Sequence, residues 1–379
     1  MGLAKGGLTC FVETFVQGST FVLRMNFCAK NPALRQAQNR CTTFYPNYCN
    51  KRKYYYTYIW KYRKMKKIFK ISGIVGLIIL ALYLISIPII RSKNPIKETV
   101  FFTPTRYDKT KIFNQLDSSY LTNISKDSIL FSASKFIDSK KSDSLILNNT
   151  KIKRDFKKLT NSSNSEFYTI TPNSYNKVGI FMLGNTFNVF NIFEQLTELA
   201  QKDRIKIYII TYNGNGYSDG KSSFENQFDV NQSFYNYINS NEKVDYVFGH
   251  SLGTVFATKL AVDDKIPNLI LLAPASNLND MISYFKSISN ILVRPYFNTT
   301  ELTESGVDKL ADNSEKIKNY HGNLLLIHGT NDTNLPYSMS EKILKNCPSN
   351  SKKLITVKDG DHYAAFKKEN WNKLITEVK

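Results

Sequence analysis

One serine of this 379-residue chain stands in a local sequence that suits a nucleophile. Ser251 is the centre of GHSLG at 249–253, which follows an apolar run at 244–248 and precedes a run of helical spacing at 254–261. Strand, sharp turn and helix leave such a hydroxyl exposed, provided that small residues stand two positions away on each side. The N-terminus of the helix also directs backbone N–H groups at an oxyanion. We therefore predict that Ser251 is a nucleophile and that the Leu252 N–H stabilises the oxyanion.

A nucleophilic serine needs a base and a group that orients the base, and both residue types follow later apolar runs. Asp332 lies in a loop after the run at 323–327, and His362 lies in a loop after the run at 353–357. The carboxyl ends of parallel strands meet at one edge of a sheet, so these loops would meet Ser251 there. We predict that His362 takes the serine proton and that Asp332 orients the imidazole.

Other residues of the same types are less well placed for these roles. His250 lies inside the serine turn, His321 precedes a strand, and His328 belongs to the same loop as the predicted aspartate. Asp361 is the nearest alternative carboxylate, but it is adjacent in sequence to the predicted histidine and is poorly placed to orient that ring. The order serine, aspartate, histidine also differs from the orders in the two protease families that use these residue types.

Apolar runs alternate with helical patterns from residue 177 onward. Runs that are apolar on both faces indicate a parallel sheet with helices on both sides, so we predict an α/β fold with a mostly parallel sheet. The predicted strands are 177–183, 205–211, 244–248, 268–272, 323–327 and 353–357, and the predicted helices are 189–201, 229–238, 254–261, 338–345 and 364–378. Residues 91–176 are polar with short apolar pieces, which indicates a linker followed by helices and edge strands leading into the domain at 177–379.

Five motifs in this region match the pattern of a known superfamily. They are LGNT at 183–186, YNGNGYSDG at 212–220, GHSLGT at 249–254, LIHGTND at 326–332 and GDH at 360–362. Together they resemble the α/β-hydrolase superfamily, and within it the serine hydrolases grouped with α/β-hydrolase-domain proteins 13 and 17 and the serine-aminopeptidase-like (S33) domain. The resemblance implies a Ser251-Asp332-His362 triad, an oxyanion contact from the backbone N–H of Asn185, and a small cap at about 276–322. The chain departs from the family pattern at Leu183, where the family usually has histidine.

The reaction that the resemblance implies is acyl transfer to water through an acyl-enzyme, with an ester or thioester as substrate. An apolar cap on a membrane-tethered domain favours lipid-like acyl substrates. The candidate pocket residues are Thr186, Tyr217, Tyr284, Phe285 and Tyr296. Two alternatives stay open: an amidase or peptidase of the same fold, and a non-catalytic binding protein whose triad is vestigial, which the departure at Leu183 favours.

The formal net charge of +20 is concentrated near the N-terminus. Residues 1–70 hold fourteen Lys or Arg and a single acid, Glu13, and a run of twenty uncharged residues follows at 71–90. At about 1.5 Å per residue this run would cross a hydrocarbon core of about 30 Å. Basic residues are denser before the run than after it, which predicts a single-pass anchor with a cytoplasmic N-terminus and the large domain on the opposite side. A cleaved signal peptide that begins at Met65 is the alternative, although no small-residue cleavage site follows the run.

The segment 1–64 differs in composition from the rest of the chain. It holds four of the five cysteines and a basic, aromatic tract at 53–60. This composition indicates a disordered cytoplasmic tail or a binding arm. The alternative is a gene model that begins too early, with translation starting at Met65.

Only Cys347 lies in the α/β region, so we expect no disulfide framework there. We find no nucleotide-binding fingerprint and no metal-ligand spacing, and we expect no cofactor, no metal and no nucleic-acid partner. The oligomeric state stays open.

Overall fold

The computed structural model describes residues 46–107, 133–160, 163–185 and 187–378. The chain divides into two compact units, Met1–Ser86 and Ile87–Lys379. The first helix, α1 (Pro46–Lys93), includes the predicted anchor at 71–90, and the second unit carries the sheet. The N-terminal segment 1–45 lies outside the described residues.

Helix α1 is 48 residues long and includes the predicted anchor. By length and composition, its part Trp60–Lys93 is the one helix among the described residues that is long and apolar enough to cross a membrane. The aromatic tract at 53–60 is helical as well. No Gly or Pro stands between 47 and 72 to interrupt the helix, whereas Pro46 suits its first position.

Nine strands of the described residues form one sheet, in the order β1-β2-β3-β5-β4-β6-β7-β8-β9. Strands β4 to β9 are parallel to one another, whereas β1, β2 and β3 form an antiparallel extension in which β3 pairs antiparallel with β5. Their bounds are β1 (Asp143–Leu147), β2 (Thr150–Thr160), β3 (Ser163–Thr171), β4 (Lys177–Met182), β5 (Ile205–Ile210), β6 (Tyr246–His250), β7 (Asn268–Leu272), β8 (Asn323–Gly329) and β9 (Lys352–Val357). The mostly parallel sheet and the α/β class are confirmed.

Helices cover both faces of this sheet. They are α2 (Phe193–Asp203), α3 (Phe224–Asn239), α4 (Gly253–Asp263), α5 (Leu278–Ile288), α6 (Thr300–Glu304), α7 (Val307–Leu310), α8 (Asn313–Lys316), α9 (Ser338–Asn346) and α10 (Lys368–Glu377). Successive strand residues point to opposite faces, so Ile180 of β4 packs with α3, α4 and α9 in one apolar cluster. Its neighbour Phe181 packs with α2 and α10 in the other cluster. The sheet is therefore buried on both sides, as its apolar runs predict.

The segment between β7 and β8 contains the predicted cap at 276–322. Helix α5 and Phe297 line a cavity at the carboxyl edge of the sheet. The later residues Ala311, Ile317 and Tyr320 are instead buried in the core beside α4. The second half of the predicted range therefore packs into one helix layer of the domain.

A second irregular segment, residues 94–107, crosses the same edge of the sheet, and we call it the strap. Phe102 anchors it in the core, with its ring centroid 4.9 Å from that of Phe224 on α3. The Thr105 N–H donates to the Asn215 side chain at 2.9 Å, and the Gly216 N–H donates to the Thr105 carbonyl at 2.9 Å. The strap therefore belongs to the folded domain, although its sequence indicates a linker.

Candidate active site

Ser251 occupies a sharp turn between β6 and α4. Its φ is 52°, in the left-handed region that residues with a side chain rarely adopt. Such a conformation costs on the order of 1 kcal/mol or more and persists where the surroundings enforce it. Here the Ser251 N–H donates to the Leu272 carbonyl of β7 at 2.9 Å, and the Thr254 N–H donates back to the Ser251 carbonyl at 3.0 Å. The turn is fixed by its neighbours, and the serine lines the cavity under α5.

Two glycines allow this turn to form. A Cβ added to Gly249 would lie 2.8 Å from Cβ of Ala257 and 2.8 Å from Cα of Thr254, both on α4. A Cβ added to Gly253 would overlap the backbone carbonyl of Met182 on β4. Strand and helix can approach this closely only without side chains at these positions, which explains both glycines of the GHSLG sequence.

His362 and Asp332 meet where β9 and β8 end. Nδ1 of His362 lies 2.7 Å from Oδ2 of Asp332, and both side chains are buried. The two loops are joined by the Asn331 N–H, which donates to the Gly360 carbonyl at 2.9 Å. Donation from Nδ1–H to the carboxylate leaves Nε2 of His362 without a proton, so that this atom can accept one.

The Asp332 carboxylate is held by four donors. Oδ1 accepts the N–H groups of Asn334 and Leu335 at 2.8 and 2.9 Å, while Oδ2 lies 3.0 Å from Nε2 of His328 as well as near His362. Burial alone would raise the pKa of this carboxyl, but the hydrogen bonds from His328 and His362 outweigh it and hold the pKa well below its usual range. The carboxylate is therefore ionised at neutral pH.

Asp361, the alternative carboxylate, faces away from this arrangement. Its Oδ2 lies 3.1 Å from Nζ of Lys367, and its Oδ1 accepts the Tyr363 N–H at 3.1 Å. The side chain is about half exposed. Its position beside the histidine in sequence does not bring it to the imidazole, because adjacent side chains diverge in this loop.

His250 lies directly behind the two loops and is buried among rings. Its ring centroid lies 5.1 Å from that of His362 and 5.0 Å from that of Phe366. Among the described residues, neither ring nitrogen has a hydrogen-bond partner. Burial, and then the neighbouring His362, lower the pKa of His250 well below its ordinary value, so this ring is neutral.

The expected oxyanion donors are the backbone N–H groups of Leu252 and Asn185. Both residues line the cavity beside Ser251, and within the described part of the chain neither N–H has a hydrogen-bond acceptor. The Asn185 side chain accepts the Thr103 N–H of the strap at 3.0 Å. The loop that carries Asn185 is therefore held by a segment that lies 82 residues earlier in the chain.

A cavity of about 490 Å³ joins these groups. Ser251, His362 and Asn185 form its polar part together with Asn334, and apolar side chains of the cap, the strap and the neighbouring loops form the rest. The apolar lining consists of Ile96, Val100, Phe101, Leu252, Val255, Ala275, Leu278, Met281, Ile282, Phe285, Phe297, Leu335 and the ring of Tyr363. This volume and this lining suit a small ligand that is mostly apolar with one reactive polar group.

Of the predicted pocket residues, the structure brings only Phe285 to this cavity. Tyr284, its neighbour on α5, points away from the cavity, and its hydroxyl donates to the Thr333 carbonyl at 3.0 Å. Tyr217 is packed against Tyr107 and donates to the Ile137 carbonyl, in a polar cluster away from Ser251. Tyr296 lies in a short 3-10 turn and is not among the lining side chains of the described residues. These three side chains therefore do not line the cavity of Ser251, and Thr186 lies outside the described residues.

The strap residues that line the cavity were missed by sequence reasoning. Ile96, Val100 and Phe101 lie in a segment that follows the predicted anchor and whose sequence indicates a linker. The one available signal is the apolar group VFF at 100–102 within a polar stretch, which has no period of its own. Met281 and Ile282 could have been found from the apolar stripe of α5, once its N-cap Asn277 had fixed where that helix begins.

The described residues contain no group of three or more His, Cys, Asp or Glu side chains that could hold a metal ion. Cys347 is buried and is a free cysteine. The chemical groups of the site are thus the serine, the two buried ionisable partners and the backbone N–H groups beside them.

Comparison with known proteins supports the same superfamily. Residues 188–323 match the family model described as serine aminopeptidase, S33, a range that includes Ser251 but ends before Asp332 and His362. The esterase Pf2001 of Pyrococcus furiosus is similar in structure, with 15% identity, a TM-score of 0.49, and coverage of 63% of this chain and 96% of its own.

Two other solved structures are similar at comparable values. For acetyl xylan esterase 1 from Thermoanaerobacterium sp. JW/SL YS485 the identity is 14%, the TM-score 0.47, and the coverage 75% of this chain and 98% of its own. For a monoacylglycerol lipase of Paleococcus ferrophilus the identity is 16%, the TM-score is 0.44, and the coverage is 56% of this chain and 96% of its own. Likenesses this distant say nothing about substrate or mechanism. The family match over residues 188–323 and the sheet with its serine turn agree, and this chain has an α/β-hydrolase fold.

Proposed function

We propose that this chain is a membrane-anchored serine hydrolase that cleaves an acyl ester or thioester. The observation that carries the proposal is the arrangement of Ser251 and His362 in one cavity, with the histidine ring bonded to Asp332 at 2.7 Å. A serine, a histidine and an ionised carboxylate in this relation are the parts of an acyl-transfer site.

In the proposed mechanism, Oγ of Ser251 attacks the carbonyl carbon of the substrate while its proton passes to Nε2 of His362. The Asp332 carboxylate stabilises the imidazolium that forms. Collapse of the tetrahedral intermediate breaks the bond to the leaving group, which takes the proton from His362 and departs. Water, deprotonated by the same ring, then attacks the acyl-enzyme, and the acid product leaves with Ser251 restored.

Ser251 and His362 do not donate to one another in the free protein, although both line the cavity. Hydrogen bonds of this kind are often long without substrate and tighten in the reacting complex. We assign the Leu252 and Asn185 N–H groups to the developing oxyanion, and a donor of this kind contributes about 3 kcal/mol to transition-state stabilisation. Since these contacts come from the backbone, Leu183 in place of the family's histidine does not remove them.

The lining of the cavity favours an acyl substrate whose chain is apolar. Strap and cap side chains surround the space next to Ser251, and no charged side chain lines it among the described residues. An apolar acyl chain is stabilised there by about 0.8 kcal/mol per buried CH₂. An amidase or peptidase would use the same three residues, and its peptide substrate would bury polar amide groups that this lining leaves unpaired.

The substrate class can be tested with the full chain in detergent micelles and a series of 4-nitrophenyl esters of increasing acyl length. We expect hydrolysis that increases from acetyl to medium chains and that falls at least about 1,000-fold in Ser251→Ala. Ser240→Ala, which removes an exposed serine hydroxyl at the end of α3, is the matched control and should keep the wild-type rate. Equal rates in Ser251→Ala and wild type would sink the proposal and favour a binding protein with a vestigial triad.

A further inference from the structure

One end of the cap exposes a group of apolar side chains. Phe285, Ile288, Ile291, Leu292 and Val293 are 38%, 60%, 72%, 59% and 49% exposed. We call these five side chains the cap tip. Single exposed apolar residues are ordinary, but five within nine positions, three of them consecutive, form a patch of the kind that marks an interaction surface.

The cap tip is continuous with the cavity of Ser251. Along α5, the apolar residues Leu278, Met281, Phe285 and Ile288 recur at three- and four-residue spacing and so share one face of the helix. The first three line the cavity, and Ile288 is exposed beyond it. An apolar molecule can therefore remain in contact with one stripe of side chains from the surface to the serine.

The cap is also bonded to the residue at which the apolar run ends. The Asn298 side chain donates to the Arg91 carbonyl at 2.7 Å, and the Asn298 carbonyl accepts the Ile96 N–H at 2.7 Å. Asn298 is buried, and its Oδ1 accepts from both the N–H and the hydroxyl of Thr300, which fixes the orientation of the amide. Arg91 is the first residue after the uncharged run at 71–90. A bilayer that holds this run would have its polar interface at Arg91, within reach of the cap.

The charges around the cap tip fit the interface of a bilayer. Residues 281–300 contain no Asp or Glu, and Lys286 and Arg294 flank the tip. The Arg294 guanidinium donates to the carbonyls of Ser289 and Ser287, at 3.0 and 2.5 Å, which fixes the turn that presents the tip. An apolar protrusion flanked by cations is the composition that inserts among headgroups.

We propose that the cap tip inserts into the bilayer surface beside the anchor and opens the cavity towards the membrane, so that the substrate is an acyl ester lipid resident in that bilayer. The inference rests on the proposed function, whose anchor and reaction it uses. It assigns the tip to a lipid surface and not to a second copy of the chain, because the bonds from Asn298 keep the cap at the point where the chain would leave the membrane.

The test is tryptophan fluorescence of the full chain in phospholipid nanodiscs made from phosphatidylcholine and phosphatidylglycerol, with and without phosphatidylcholine brominated on its acyl chains. Trp60→Phe is the background for all variants, because it removes the tryptophan of α1 and leaves only the buried Trp371. Leu292→Trp reports on the cap tip, and Ile146→Trp, on the exposed edge strand β1, is the matched control. We expect bromine to quench Leu292→Trp at least about twofold more than Ile146→Trp; equal quenching would overturn the proposal.

A kinetic measurement separates docking from folding. The double variant Ile291→Ser with Leu292→Ser should lower kcat/KM for a fluorogenic long-chain ester lipid in nanodiscs at least about tenfold, as expected for lost burial of two large side chains. Its rate on 4-nitrophenyl acetate in water should stay within about twofold of wild type. A parallel loss on both substrates, or no loss on either, would contradict docking. Quenching of Leu292→Trp in a chain that hydrolyses no ester would leave docking standing and overturn the proposed function alone.

Discussion

At the scale of single residues, the Asp332 carboxylate determines how the candidate site is charged. It accepts from two histidines and two backbone N–H groups, and its pKa is held below the usual range despite burial. The lowered pKa means that the carboxylate remains ionised when the medium is made mildly acidic. An acid limb of the pH-rate profile would therefore come from another group. Nothing in the sequence predicts His328 as a second donor, because its role depends on the loop turning back on itself.

Replacing this carboxylate by its amide should abolish most catalysis while preserving shape. In Asp332→Asn the amide cannot stabilise the imidazolium and favours the wrong histidine tautomer, so we expect kcat for the best ester to fall about 1,000- to 10,000-fold. Asp361→Asn, which alters the exposed carboxylate paired with Lys367, is the matched control. Steady-state kinetics would decide between them: comparable losses in the two variants would refute the assignment of Asp332.

His250 gives a prediction about stability and pH. Its pKa is lowered in the folded protein by burial and by His362, whereas the unfolded ring has an ordinary pKa of about 6.5. The unfolded state therefore binds the proton more readily, and stability must fall as the pH falls below about 6.5. The slope from this one group is at most about 1.4 kcal/mol per pH unit.

The matching variant is His250→Phe, which keeps an aromatic ring in the same cluster and removes the titrating group. The free energy of unfolding by urea, measured in detergent between pH 7 and pH 5, should decline less steeply for this variant than for wild type. Ser240→Ala should keep the wild-type slope. Parallel pH profiles of His250→Phe and wild type would show that the ring is not buried neutral.

At the scale of elements, the strands with a continuous apolar pattern were predicted accurately, whereas strands and helix ends without one were not. Strands β4 to β9 lie within two residues of the predicted runs, because a strand buried on both faces is apolar throughout. Strand β2 contains Lys, Arg and Asp at many positions, and its burial alternates in its first half, so only unspecified edge strands were expected there. Helix α3 begins at Phe224, earlier than predicted, since Ser223 caps it by accepting the Asn226 N–H at 3.1 Å.

The predicted site residues show the same dependence. Ser251, Asp332 and His362 follow parallel strands whose carboxyl ends must meet, so the sequence alone indicated that they converge, and their catalytic roles stay a prediction. The pocket residues did not have this support. Tyr284 and Phe285 are adjacent on α5 and face different directions, and only the orientation of that helix decides which of them lines the cavity. The strap could not be foreseen, because its position depends on tertiary contacts of single residues such as Phe102.

The strap gives an element-scale prediction through its bond to Asn185. Asn185→Ala keeps the backbone N–H but removes the side-chain oxygen that accepts the Thr103 N–H at 3.0 Å. A hydrogen bond of this kind contributes about 1 kcal/mol, so we expect kcat/KM to fall roughly fivefold as the loop loses its fixed position. Asn226→Ala on α3 removes an exposed asparagine without strap contacts and is the control. Unchanged ester kinetics in Asn185→Ala would show that the strap does not position the loop.

At the scale of the whole molecule, the unequal distribution of charge bears on where the domain lies. The excess of Lys and Arg precedes the apolar run, and the candidate active site belongs to the unit after it. We propose a single-pass protein with its N-terminus in the cytoplasm and its domain across the membrane.

Anchoring can be measured by membrane fractionation of cells that express the full chain. We expect the protein to remain in the membrane pellet after washing with alkaline carbonate, which strips peripheral proteins. The variant Leu77→Arg with Leu80→Arg should be recovered largely in the soluble fraction, because each arginine at the centre of a span costs about 3 kcal/mol. Leu292→Arg, an exposed apolar residue outside the run, is the control and should stay in the pellet. Release of the wild-type chain by carbonate would contradict an anchor.

The central claim is that Ser251 is an activated nucleophile, and the most direct measurement is covalent labelling by a fluorophosphonate followed by peptide mass spectrometry. The account predicts one adduct, on the peptide that contains Ser251, absent in Ser251→Ala and formed at least about 100-fold more slowly in His362→Ala. Circular dichroism of the same samples would verify that each variant is folded. A folded wild-type chain that forms no adduct, or forms it on another residue, would contradict the account.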